Sequence, residues 1–214
     1  MDKSIIATTL SGLFVKSEPW DKAHILWFNE ATEKLKDYSI NDWIDKLNYF
    51  QGVDEVTKRL YPKLTDEKRT IKARELFFDS VCKYIGKNPG VKNKEIIEYF
   101  KELKSNFRIA LITTNTDKAT EKILKALGLS NFFDIIETSK PEEKDDKRAV
   151  FGRFIEKHGK PLVYIGGGRK DSYDYCKENN IPRIFANFEA GPEIGGVESA
   201  NSLRELEKAI KKFI

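Results

Sequence analysis

Apolar residues fall into two rhythms along this chain. Ile5-Ile6-Ala7-Thr8-Thr9-Leu10 is a short, nearly continuous apolar run that stops at Ser11-Gly12, the pattern of a buried strand running into a loop. From about Trp20 to Ile85 the spacing turns helical, and no strand-like run interrupts it. Ile25, Phe28, Thr32 and Leu35 make one stripe, and Trp43, Leu47 and Phe50 another, so this region reads as a small helical bundle. Its tryptophans, Trp20, Trp27 and Trp43, are expected to fill its core rather than to meet a ligand.

Asn88-Pro89-Gly90 is strong punctuation, and beyond it helix and strand alternate. Ile96, Ile97, Phe100 and Leu103 form a helix face, and Arg108 to Thr113 reads as a buried strand. A helix from Asp117 should end at Gly128, a residue suited to a left-handed cap. Phe133–Glu137, Leu162–Ile165 and Arg183–Ala186 read as further strands. Helices should carry Val150, Phe151, Phe154 and Ile155, then Cys176, and finally Leu203, Leu206, Ile210 and Phe213. Strands that are apolar throughout, separated by amphipathic helices, predict a doubly wound parallel α/β sheet covered on both faces. Residues 1–16 plus 88–214 form this core, and 17–87 an inserted all-helical domain. Ligands of such sheets sit at the carboxyl ends of the strands, which here follow Leu10, Thr113, Glu137 and Ile165.

A length of 214 residues with 40% apolar and 34% charged content describes a globular chain with a substantial core. The net charge of +4 is spread along the sequence and gives no basis for a nucleic-acid partner. The first apolar run is too short for a signal peptide or a membrane span. Cys82 and Cys176 are too few and too far apart for a disulfide framework or a metal motif. Two reduced thiols fit a cytoplasmic protein. His24 and His158 supply neither a Ser-His-Asp relay nor a zinc site.

Four strand ends carry a recognisable pattern. Leu10-Ser11-Gly12-Leu13-Phe14-Val15-Lys16-Ser17-Glu18-Pro19 resembles the opening signature Asp-Gly-Thr-Leu-Val-Asp-Ser-Glu-Pro of the haloacid dehalogenase superfamily, in its β-phosphoglucomutase and phosphoglycolate phosphatase-like branch. Ile112-Thr113-Thr114-Asn115 is similar to the second motif of that family, Ser139-Lys140-Pro141 to the third, and Ile165-Gly166-Gly167-Gly168-Arg169-Lys170-Asp171 to the fourth, usually Gly-Asp-x-x-x-Asp. The order fits, and the helical stretch stands where this branch inserts a cap domain. The resemblance implies phosphoryl transfer. An Asp ending the first strand attacks phosphorus, a second Asp two residues later works as acid and base, and Mg²⁺ is held by these two and an Asp of the fourth motif.

At those positions the chain has Thr9, Ser11 and Gly167, while Thr114, Lys140 and Asp171 remain. A carboxylate nucleophile is ionised at neutral pH, whereas a Thr hydroxyl needs a base that Ser11 cannot supply. Mg²⁺ binding rests on carboxylates that are missing, so no cofactor is expected. The pocket keeps cations, with Lys16, Arg169 and Lys170 close in sequence, and a glycine loop before a helix presents amides to anions. The residues read as ligand-binding are therefore Thr9, Ser11, Thr114, Asn115, Lys140, Gly166, Gly167 and Gly168, in a metal-independent site. A triple glycine is equally just a permissive turn in a relic pocket. The loop lacks the spacing of a dinucleotide fingerprint, and Glu142 to Lys147 reads as a solvated helix start.

Two functions follow. One is a non-catalytic protein that binds a phosphorylated or other anionic small molecule, a protein partner or a second copy of itself. The other is a hydrolase of phosphate monoesters with a non-standard site. Sequence alone leads to a simple expectation: if the old scaffold is intact, restoring acids through T9D, S11D and G167D together should restore turnover.

Overall fold

The computed structural model describes residues 3–43, 49–143 and 145–214, with the side chains of 43 and 49–51 left aside. The stripe read at Trp43, Leu47 and Phe50 therefore lies outside the described residues. Strand β1, Ile5–Thr8, is followed by helix α1, Glu18–Leu35, a 3-10 turn at Tyr38–Trp43, α2, Tyr49–Leu60, and α3, Asp66–Lys87. A 3-10 turn at Pro89–Val91 leads to α4, Lys94–Leu103, β2, Arg108–Thr116, α5, Asp117–Leu127, and β3, Ile135–Ser139. The remainder is α6, Lys147–His158, β4, Val163–Gly166, α7, Lys170–Glu178, β5, Arg183–Ala186, β6, Glu198–Ala200, and α8, Leu203–Ile210.

The helix boundaries have local causes. Thr65, Thr116, Asp146 and Ser202 each precede a helix and accept a hydrogen bond from an amide of its first turn, filling donors that a helix start leaves open. Gly128 closes α5 at φ 72°, a left-handed conformation that suits glycine.

All six strands are parallel, in the order β3-β2-β1-β4-β5-β6. The chain leaves β1 toward β2 and β3, then crosses to β4 on its other side. The carboxyl ends of β1, β2 and β4 therefore converge at the point where a doubly wound sheet holds its ligands. Side chains alternate between two buried faces. Ile6, Ile109, Leu111, Val163, Ile165 and Ile184 pack with α4, α5 and α8, while Ala7, Ala110, Ile112, Tyr164 and Phe185 pack with α6 and α7.

The helical insertion has a small core of its own, with Trp27, Phe28, Ala31, Ile40 and Val56. It is also anchored to the sheet, because Ala23 of α1 and Phe78, Val81 and Ile85 of α3 join the larger core. Its buried stripe on α1 is Ala23, Trp27, Phe28, Ala31 and Thr32. Ile25, read as part of that stripe, is 38% exposed: the α1 face is turned to bury the larger Trp27. Strand β6 carries no apolar run and was not read in the sequence. β1 stops at Thr8, two residues short of the apolar run, because Leu10 already belongs to the turn that accepts the Phe14 and Val15 amides.

Phe14 pins that turn. Its ring is fully buried and meets Phe100, Phe132 and Phe133 edge-on at 4.9, 5.3 and 5.2 Å. Replacement of Phe14 by Ala should destabilise the protein by about 3–5 kcal/mol through lost transfer and cavity terms. Urea unfolding will measure it; a loss below about 1 kcal/mol would mean that the turn collapses into the space.

Candidate functional site

The loop after β1 is built from backbone. Thr8 donates its hydroxyl to Ala110 O at 2.7 Å and is fully buried, which locks β1 to β2 one residue before the site. The Thr9 amide bonds Ile165 O at 3.2 Å, which ties the chain leaving β1 to the end of β4. Gly12 adopts φ 76° and lets the chain turn back, its amide bonding Val15 O at 2.7 Å. The exit toward α1 is held by Asn93 on Leu13 O at 2.6 Å and by Glu189, which accepts from the Ser17 amide at 2.9 Å.

The glycine loop after β4 packs directly on this turn. A Cβ at Gly167 would lie 2.6 Å from Ser11 O and 3.1 Å from Gly12 Cα. A Cβ at Gly166 would lie 2.7–2.9 Å from the Tyr164 ring and hydroxyl. Glycine is therefore required at both positions for close approach, and Gly167 is buried. Tyr164 itself is buried, which pushes its phenol well above the usual range, and it reaches the Thr9 side chain. Tyr173 donates to Gly167 O at 2.7 Å from below.

Two arginines complete the edge. Arg169, the residue before α7, grips Asp171 with Nε and Nη2 at 2.8–3.0 Å. It also reaches Asp145 Oδ1 at 2.8 Å, Asp145 O at 3.0 Å and Thr114 Oγ1 at 3.2 Å. Burial works against the Asp145 charge, but hydrogen bonds from Thr114 and Arg169 outweigh it and hold its carboxyl below the ordinary value. Arg74 comes from α3 in the insertion and donates to Thr114 O at 2.7 Å, Lys140 O at 3.0 Å and Glu143 O. A single guanidinium thus caps carbonyls at the ends of β2 and β3.

The positions read from sequence are brought together in part. Thr9, Ser11, Thr114, Gly166, Gly167, Gly168 and Asp171 surround the ends of β1, β2 and β4. Asn115 is buried on β2, its amide bonding Thr113 Oγ1 at 3.1 Å. Lys140 and Lys16 are exposed; Lys140 takes part through its backbone, its amide bonding Glu143 at 3.0 Å. The acidic run before α6 is a helix start, with Asp146 as its cap, but Lys147 corrects that reading. It is buried to 3% exposure, donates to Ile112 O and lies 5.8 Å from the Phe151 ring centre. Sequence reasoning missed Arg74, Asp145 and Lys147. A charge run carries no mark of which member turns inward.

A family model for haloacid dehalogenase-like hydrolases matches residues 21–161. The chain belongs to that family. The matched span of this dehalogenase-like chain begins after the first loop just described, Thr9–Gly12, and ends before the second, Gly166–Asp171. Solved structures share its fold along their whole length. A predicted phosphatase from Clostridium acetobutylicum has a TM-score of 0.64 at 20% identity, covering 99% of this chain and 100% of its own. CbbY from Rhodobacter sphaeroides, in complex with phosphate, has 0.62 at 15%, covering 96% and 99%. β-Phosphoglucomutase from Clostridium difficile has 0.57 at 15%, covering 100% and 99%. No curated protein sequence matches the chain.

The Mg²⁺ that the family resemblance implies does not fit this donor set. Mg²⁺ takes oxygen ligands in octahedral geometry, one or two of them carboxylates. Among the expected positions Asp171 is an acid, and both its oxygens are bonded to Arg169. Among the described residues no three His, Cys, Asp or Glu side chains group to hold a metal. No helix among them is long and apolar enough to cross a membrane.

Burial lowers the Lys147 pKa to about 7, with Arg169 adding to the shift and Asp171 and Asp145 opposing it. The unfolded chain binds this proton up to pH 10.5, the ordinary value. Stability should therefore rise as pH increases above about 7, by at most about 1.4 kcal/mol per unit. Lys147→Met should remove the rise between neutral pH and pH ~8.5, while costing little at neutral pH because a methionine needs no desolvated charge. Urea midpoints across that range test both statements. A rise that persists in the variant would assign it to another group. Arg74→Ala should cost roughly 1–3 kcal/mol by orphaning carbonyls. Arg74→Lys should not restore it, since an ammonium lacks the planar fork.

Proposed function

We propose that this chain is a non-catalytic member of the haloacid dehalogenase-like family, working by binding rather than by turnover. The reading rests first on the contact between Gly167 and Ser11 O, a 2.6 Å approach for any Cβ. Where an active relative needs a carboxylate to hold a cation, this loop has closed on its neighbour. Thr9 faces the Tyr164 phenol, and Asp171 is committed to Arg169. A nucleophile without a base and a carboxylate without a free oxygen give no route to an aspartyl-phosphate or its equivalent.

The helical segment 17–87 acts in this reading as a cap fixed over the strand ends by Arg74. The edge it covers brings together Arg74, Arg169 and the Lys140 backbone. The ligand class it favours is therefore a phosphorylated or carboxylated molecule, or an acidic segment of a partner protein. Binding would require a guanidinium to exchange carbonyl or carboxylate partners for the ligand, which Arg does without losing its charge. Cys82 and Cys176 are both free, which fits work in a reducing compartment such as the cytoplasm.

The test is hydrolysis of a panel of phosphate monoesters in Mg²⁺ by the natural chain and by T9D/S11D/G167D. The natural chain should give no turnover above buffer. The triple variant should stay inert as well, because Asp at 167 forces apart two packed backbones; its melting temperature should fall. Hydrolysis by the natural chain that disappears in Asp171→Asn would overturn the proposal. Turnover by the triple variant would show that the loops separate readily.

A further inference from the structure

The long helix α3 is shared between two cores. Near its start Leu76 packs against the insertion's own core, while Phe78, Val81 and Ile85 further along are buried in the core of the sheet. What ties the starting half to the sheet domain is polar. Arg74 donates across the strand ends to Thr114 O at 2.7 Å and Lys140 O at 3.0 Å. Asp79 pairs with Lys122 of α5 at 2.7 Å, and Glu75 with Lys118 at 3.7 Å. Beside these pairs runs a groove of about 610 Å³ whose lining includes Leu76, Asp79, Cys82, Lys122, Lys125 and Ala126, so the outer side of the seam is open to water rather than packed. Exposed ion pairs hold little and weaken in salt. The bonds of a half-buried guanidinium to carbonyls hold more. One end of the helix is therefore anchored by burial and the other by ties that exchange readily with water.

We propose that α3 is an autoinhibitory strap, which pivots about Val81 and Ile85 and closes the cleft with its Arg74 end until the ties at Arg74, Glu75 and Asp79 let go. Release carries the small core of the insertion away from the ends of β2 and β3 and leaves the core of the sheet intact. The strap regulates the cleft of the binding reading, on which it rests. Its test needs no ligand, so a failed strap and a cleft that binds no anion give separate results.

The chain carries its own reporter. Cys82 lines the groove beside the strap and is half-buried, whereas Cys176 is fully buried in the core on the other face of the sheet. The full chain, R74A and R74K are reacted at one pH with 4,4′-dithiodipyridine, an uncharged disulfide, and each thiol is followed by peptide mass. Cys82 should react about tenfold faster in R74A than in the natural protein. R74K should resemble R74A, since an ammonium lacks the planar fork. Raising NaCl to roughly half-molar should speed Cys82 of the natural protein about two- to threefold. Cys176 should stay slow throughout. Equal Cys82 rates in the natural protein and R74A would overturn the proposal, as would a Cys176 rate that rises in step with that of Cys82, the mark of whole-chain unfolding. If neither variant folds, salt acting on the natural protein decides: a rise at Cys82 alone supports the strap, and a flat rate overturns it.

Discussion

The site depends on a single guanidinium. Arg169 meets oxygens from Thr114, Asp145 and Asp171, residues that belong to three separate elements of the sheet edge. Carboxylates brought close together repel unless a cation lies between them, and the closer they stand the more a mobile ion is favoured over water. A tethered side chain has the advantage that its local concentration never falls. With Arg169 in place, the approach to α6 is tied to the end of β2 and the start of α7. Asp146 is then set to cap that helix and Lys147 to turn under β2. Burial of Lys147 beside Ile112 O is tolerable because two carboxylates lie close enough to offset the neighbouring arginine.

The fold itself does not rest on this cluster. Its two cores are aliphatic and aromatic, with Phe14, Phe100, Phe132 and Phe133 on one face and Phe151, Tyr164 and Tyr173 on the other. Scaffold and site are separable in energy: burial of this kind stabilises by area, regardless of what stands at the strand ends. A chain can therefore lose a reaction and keep its architecture, which is why fold alone never names an activity.

Much of that architecture was legible because periodicity reports burial. β2, β4 and β5 are buried on both faces along their middles, so the runs Ile109–Ile112, Val163–Ile165 and Ile184–Ala186 are apolar without a break and easily read. α5 is bounded by Asp117 and Gly128, residues whose preferences are local. β6 was not legible, since Glu198-Ser199-Ala200 owes its strand state to pairing with β5 and not to any pattern of its own. Ile25 and Trp27 lie two positions apart on one helix, and only packing decides which faces inward. The site was readable as a set of positions on strand ends. Its occupants were not, because Arg74 lies 40 residues before Thr114 in the chain, and such contacts leave no trace in local sequence.

The glycine at 167 shows how close packing of two loops limits what can stand at one position. With glycine the two backbones pack closely enough that a Cβ at 167 would lie 2.6 Å from Ser11 O and 3.1 Å from the Cα of Gly12, which adopts φ 76°. Dispersion and burial favour this close contact of the two backbones. Reopening it requires moving two turns that are tied elsewhere, the first by Phe14 in its aromatic cluster and the second by Tyr173 on Gly167 O. Change at one position thus alters what its neighbours can become, and substitutions at Thr9, Ser11 and Gly167 should act together rather than independently.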